Sequence, residues 1–169
     1  YRVMPKDINH LVSMSNGDMK NFKFSSYRFD EDNITESVEL TYKIPSVNSE
    51  TITYFSFDFA SHLTAIPEKN MKNGLFIFVV KDNNSSKQDK RLILVTDLGF
   101  FVKKNADKTK DIFVQSIATG KPVSNASVRV LGLNGNTVYQ TYTDYTGHAS
   151  ISDLSNLSGE HSPVAYIVE

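Results

Sequence analysis

Four histidines, His10, His62, His148 and His161, are the side chains best suited to hold a metal or relay a proton, and no two lie closer than 13 positions. A helical zinc site needs two of them at i, i+4. That spacing is absent, so each is read as a surface or partly packed residue and no metal ligand is assigned. Asp144 and His148 flank one turn and have the residue types of an acid–base dyad. Asp144 and Gly147 suffice to explain a tight return, and no Gly-x-Ser-x-Gly elbow supplies a nucleophile, so no catalytic residue is assigned. Asp30-Glu31-Asp32-Asn33 is the most acidic run. It offers the hard oxygens that Ca²⁺ prefers but lacks the alternating acidic order of a dedicated loop, and is read as a solvated turn. Gly132-Leu133-Asn134-Gly135 has too few glycines for a phosphate cradle and sits between strands, not before a helix, so no cofactor-binding residue is assigned. Asn-x-Ser/Thr sequons at Asn33, Asn83, Asn84, Asn125 and Asn156 are accounted for by the abundance of Asn and Ser.

The bulk composition narrows the classes further. There is no cysteine, which excludes disulfides, thiolate zinc, iron–sulfur ligation and a thiol nucleophile from these 169 residues. Lys and Arg number 18 against 19 Asp and Glu, and the balance is local: residues 1–81 carry 9 basic and 10 acidic side chains, residues 91–169 carry 7 of each. Nucleic-acid binding needs a basic surplus to displace counterions, and docking on anionic lipid needs the same, so neither partner is expected. No apolar run approaches the ~18–20 residues of a membrane-spanning helix, and no direct insertion is expected. The chain begins at Tyr1 without a signal-like segment and is read as a piece of a longer polypeptide.

What remains is architecture. With 11% aromatics and no Trp, cores must be built around Phe and Tyr, which favours strands. The best helix signal is Asp7-Ile8-Asn9-His10-Leu11-Val12, with apolar residues at i, i+3 and i+4 behind a possible Asp cap. Afterwards the period is two: Val38, Leu40, Tyr42 and Ile44 predict one strand, and Thr51 to Phe59 another. Phe22, Phe24, Tyr27 and Phe29 suggest strands without a clean register. Gly74 to Val80 is continuously apolar and predicts a strand covered on both faces. The polar stretch after it, residues 82–90, is read as a linker between domains, the alternative being a hairpin tip. Seven short strands follow: Leu92–Thr96, Phe100–Lys103, Asp111–Ser116, Ala126–Leu131, Val138–Thr143, His148–Ile151 and Val164–Val168. Gly-bearing turns separate them, and Asn134-Gly135 predicts a tight hairpin. The expected fold is all-β, two consecutive antiparallel seven-stranded sandwiches over 1–81 and 91–169 with one short N-terminal helix.

The second half carries an ordered set of motifs. They are Leu94-Val95-Thr96-Asp97-Leu98-Gly99, Ile112-Phe113-Val114, Ala118-Thr119-Gly120-Lys121-Pro122-Val123-Ser124-Asn125-Ala126-Ser127-Val128, Leu133-Asn134-Gly135-Asn136 and Thr143-Asp144-Tyr145-Thr146-Gly147-His148-Ala149. In order and spacing they resemble a macroglobulin-like domain of the bacterial alpha-2-macroglobulin family; residues 1–81 would be the preceding domain of the same kind. Members of that family are broad-range protease inhibitors, generally periplasmic and often lipid-anchored. A protease cuts a bait segment, the domain array rearranges, and in many members a Cys-x-Glu-Gln thioester then links to it. The resemblance therefore implies a non-enzymatic scaffold piece, with neighbouring domains of the same polypeptide as direct partners and proteases as partners of the parent. Thioester chemistry cannot lie here, because Cys is absent. No stretch resembles a bait. The alternative is a pair of immunoglobulin-like modules from a bacterial surface adhesin or stalk, which an exposed aromatic row would favour.

Overall fold

A computed structural model describes residues 1–3, 5–16, 37–43, 54–63 and 73–169. The chain divides into two compact units, and neither is a simple run of sequence. Among the described residues the first takes in 1–2, 37–43, 54–63 and 73–95, and the second 3, 5–16 and 96–169.

The first unit is organised by a hairpin. Strand β1 (Gly74–Lys81) pairs antiparallel with β2 (Gln88–Val95) in unbroken register, from Gly74 opposite Val95 to Lys81 opposite Gln88. Six residues close it. The Asp82 carboxylate accepts from the Asn84 amide at 2.9 Å and the Ser85 hydroxyl at 2.6 Å, while the Asp82 amide donates to the Lys87 carbonyl at 3.0 Å. The polar stretch expected as a linker over 82–90 is thus a hairpin tip with the last of its residues inside β2, and the units part between Val95 and Thr96. Tyr1 and Arg2 lie along the other edge of β1. The Ile77 amide donates to the Tyr1 carbonyl at 2.8 Å, and the Tyr1 amine donates to the Ile77 carbonyl at 3.1 Å.

The apolar run of β1 is buried on both faces only at its centre, Phe76 and Ile77. Aromatic rings cover one face. Phe59 meets Phe76 edge-on at 5.5 Å, and Phe57 lies 5.4 Å from Phe78 and stacks on His62 at 4.9 Å. The strand expected over Thr51–Phe59 is not formed by its described residues: 54–58 carry no ladder, and Phe59 opens helix α2 (Phe59–Leu63). Alternating aromatics there serve ring packing on the hairpin, a need that mimics strand periodicity. Likewise 37–43 carry no ladder, with Val38, Leu40 and Tyr42 exposed. The remaining strand signals of 1–81, Phe22, Phe24, Tyr27 and Phe29 among them, lie outside the described residues.

The second unit is a β-sandwich of two three-stranded antiparallel sheets. Its strands are β3 (Leu98–Lys104), β4 (Lys110–Ser116), β5 (Ser127–Gly132), β6 (Thr137–Tyr142), β7 (His148–Ile151) and β8 (Pro163–Val168). One sheet runs β3-β4-β7 and the other β6-β5-β8. Six strands stand where seven were expected, because Leu92–Val95 belongs to β2 and bonds to β1. Period-two alternation sends Ile112 and Val114 from β4, Val128 and Val130 from β5, and Ala149 and Ile151 from β7 into one core, closed by Ala126 and Leu154.

Helix α1 (Pro5–Met14) belongs to this unit and buries Leu11 and Val12. The Asn134-Gly135 hairpin forms as predicted between β5 and β6, with the Gly135 amide donating to the Gly132 carbonyl at 2.9 Å. Gly135 has φ 79°, and a methyl there would strike the Asn9 carbonyl group, with the carbonyl carbon only 2.8 Å away. Glycine both makes this turn and lets α1 lie against it.

Candidate functional site

The residues singled out in the sequence converge on the turns at one end of the sandwich. Asp97 anchors them first: its carbonyl accepts from the Ile117 amide at 2.7 Å and its carboxylate from the Ala118 amide at 2.8 Å. The Ser116 hydroxyl and these amides hold its carboxyl below the usual carboxylate range. Two residues on, the Thr119-Gly120-Lys121-Pro122 turn folds back so that the Ser116 amide donates to the Lys121 carbonyl at 2.9 Å. The strand leaving it reaches Thr143, which is buried. Its hydroxyl donates to the Val123 carbonyl and accepts from the Ala126 amide, both at 2.8 Å. A buried hydroxyl used in both senses leaves neither backbone group orphaned.

Asp144 and His148 prove to be parts of one turn. A single Asp144 oxygen, Oδ1, accepts from the Thr146 amide at 2.8 Å, the Thr146 hydroxyl at 2.6 Å and the His148 amide at 3.1 Å. These bonds, the Thr146 hydroxyl first, lower its pKa. Gly147 has φ 74°, and its carbonyl oxygen accepts from the Val114 amide at 2.8 Å. The imidazole faces elsewhere. His148 Nε2 lies 2.9 Å from Asp111 Oδ1, whereas Nδ1 is 4.0 Å from Asp144. Asp111 is also bonded by the Asn105 amide group at 2.8 Å, and Asn105 and then His148 hold its carboxyl low. An acid kept ionised by donors, beside an imidazole packed on a ring, orients a strand end.

The same imidazole ends an aromatic ladder across the outer face of the first sheet. Phe101, Phe113 and His148 sit directly opposite one another on β3, β4 and β7. Phe101 and Phe113 stack at 4.8 Å, and Phe113 lies 4.9 Å from the His148 ring. Phe101 is 57% exposed.

The other sequence candidates are dispersed. His10 is exposed on α1, His62 stacks in the first unit, and His161 sits in a short 3₁₀ turn (Gly159–His161), 3.4 Å from Glu160. Asp30-Glu31-Asp32-Asn33 and the sequon at Asn33 lie outside the described residues. Asn83 and Asn84 are at the β1–β2 tip, and Gly132 to Gly135 form the end of β5 and its turn. Sequence reasoning missed Asp111 as the partner of His148, 37 positions away, and Thr143 as the buried stitch. Asp111 opens a strand expected from the sequence, but only strand order brings β7 beside it.

Residues 95–169 match the family described as the bacterial alpha-2-macroglobulin MG3 domain. An alpha-2-macroglobulin of Rickettsia conorii is 38% identical over 99% of this chain, and an alpha-2-macroglobulin homolog of Yersinia pestis is 27% identical over the same share. In each case the chain spans only 9% of the relative's length. A native alpha-2-macroglobulin from Escherichia coli, solved over domains NIE-MG1, aligns with 52% of this chain and 47% of its own at 20% identity and a TM-score of 0.40.

Proposed function

Because the chain belongs to the bacterial alpha-2-macroglobulin family, we propose that it is a scaffold segment of a much larger, broad-range protease inhibitor of the cell envelope. Its residues supply packing and interdomain connection to a trap that closes on an attacking protease, and carry no bond-making step. One observation supports this most. The family match begins at residue 95, and the long continuous part of the second unit, which holds the whole sandwich core, begins at Thr96. The stretch with the family's sequence pattern is therefore the stretch that closes its own core. Its motif residues, Asp97, Thr143, Asp144 and Gly147, are spent on turns, as a load-transmitting domain requires. On the same proposal the parent would act in the periplasm, and residues preceding Thr96 would contribute to the domain before.

The test uses the parent protein. Purified parent is mixed with trypsin, and residual activity is read on a large protein substrate and on a small chromogenic peptide. Trapping predicts loss of the first with survival of the second, and a parent lacking residues 1–169 should protect poorly. Equal inhibition of both substrates, or full trapping without this segment, would sink the proposal.

The adhesin reading draws on the half-exposed ladder of Phe101, Phe113 and His148. It predicts that the isolated chain is retained on a glycan array and that Phe101→Ala releases it.

A further inference from the structure

A second feature of the sandwich lies away from the turns just described. A cavity of about 230 Å³ opens where the β3–β4 turn meets the loop before β8. Lys104, Lys108 and Lys110 line it together with Leu154, Leu157 and Pro163. Lys104 stands directly opposite Lys110 in the β3–β4 register, a like-charge pairing that weakens a sheet. None of the three lysines enters an ion pair among the described residues. The one carboxylate on the lining, Asp153, accepts from the Ser155 amide at 2.8 Å and the Ser155 hydroxyl at 3.0 Å, and Lys108 and Lys110 stand near enough to help hold its carboxyl ionised, one negative charge against three positive.

The backbone supplies an independent observation. Lys108 sits in the tight turn closed by Asn105 and Thr109, with φ 70°. That left-handed conformation belongs by preference to Gly or Asn, and a lysine held in it is strained. The turn thus fixes Lys108 beside Lys104 and Lys110 on the cavity lining, giving it a basic side opposite an apolar one.

We propose that this cavity binds an acidic peptide segment, a Glu or Asp side chain next to an apolar one, with the carboxylate among Lys104, Lys108 and Lys110 and the apolar group against Leu154, Leu157 and Pro163. Size favours side chains over a whole small molecule, whose pockets run about 300–1,000 Å³. The mixed lining disfavours inorganic phosphate: half of it offers nothing to an anion, and the Ser155 amide is committed to Asp153. This inference is independent of whether the parent traps proteases.

The experiment is an amide NMR titration of the 169-residue chain with the peptide Ac-Glu-Leu-Glu-NH₂. Saturable shifts at Lys104, Lys108, Ser155 and Leu157 are expected, weakening about threefold as salt is raised from about 20 to about 200 mM. Lys104→Gln with Lys110→Gln should weaken binding about tenfold, as expected when charge-assisted bonds are lost. Lys108→Gly should bind more weakly while withstanding as much urea or more, since glycine relaxes the turn. Shifts that never saturate, a double variant that binds like the parent sequence, a Lys108→Gly that binds fully, or phosphate that binds as tightly as the peptide would each overturn the proposal.

Discussion

Gly147 and Gly120 share a left-handed backbone, φ 74° and 67°, but not their surroundings. A methyl on Gly120 would meet nothing within 4 Å, whereas on Gly147 it would collide with the Val114 carbonyl oxygen and lie 2.9 Å from Pro122 Cβ. Both substitutions to alanine carry the left-handed penalty, about 1 kcal/mol. Only Gly147→Ala adds overpacking against backbone that cannot move without breaking the β4–β7 junction, a further ~1–3 kcal/mol. Its total, about 2–4 kcal/mol, is a large share of the stability of a domain this size. With a urea slope of about 1 kcal/mol per molar, Gly147→Ala should lower the midpoint by ~2–4 M and Gly120→Ala by about 1 M. The assay is a urea titration of the chain read on the methyl NMR signals of Ile112 and Val128, which lie in the core of the second unit. Two glycine variants with midpoints within about 0.3 M of each other would refute the steric argument.

Acid should weaken the second unit in a defined window. Asp97, Asp111, Asp144 and Asp153 all have carboxyl pKa values lowered from 3.8 by the hydrogen bonds described. A group whose folded pKa is depressed stabilises the fold above its unfolded pKa and stops doing so as pH falls through the folded one. The urea midpoint should therefore owe these groups nothing lost between pH 7 and 5 and should fall below about pH 4, and a fall already complete at pH 5 would show another group in control. The hairpin tip gives a different readout. A protease nick within residues 82–87 should leave the two fragments co-eluting, because β1 and β2 stay paired over eight positions, and separation on a sizing column would restore the linker reading.

Local pattern and turn chemistry were enough where neighbours in sequence are neighbours in space. Asn134-Gly135 predicted the β5–β6 hairpin, and the strands expected over Asp111–Ser116 and Ala126–Leu131 are those that supply Ile112, Val114, Val128 and Val130 to the core. The same logic failed at 82–90, because Asp, Asn and Ser bond to backbone alike in a linker and in a tip. Only the pairing of 74–81 with 88–95 decides between them. It failed again at Leu92–Thr96, whose apolar alternation suits the edge of either unit. At the candidate site, Asp144 with Gly147 was legible as a turn because the bonds span four residues. The Asp111–His148 contact and the meeting of Lys104 with the loop at 153–157 depend on strand order, which no local spacing encodes.

The division of the chain into two interleaved units has a consequence for inheritance and synthesis. Helix α1 leaves the ribosome about 113 residues before the strand whose turn it will cover. It must wait to meet the Gly135 turn until β5 and that turn have emerged. A gene segment cut at residue 96 and moved elsewhere would carry the sandwich but leave its helix behind, baring the Gly135 turn. The unit of recombination here is thus longer than the stretch that bears the family's sequence pattern, and successful shuffling of this domain should preserve its upstream neighbour as well.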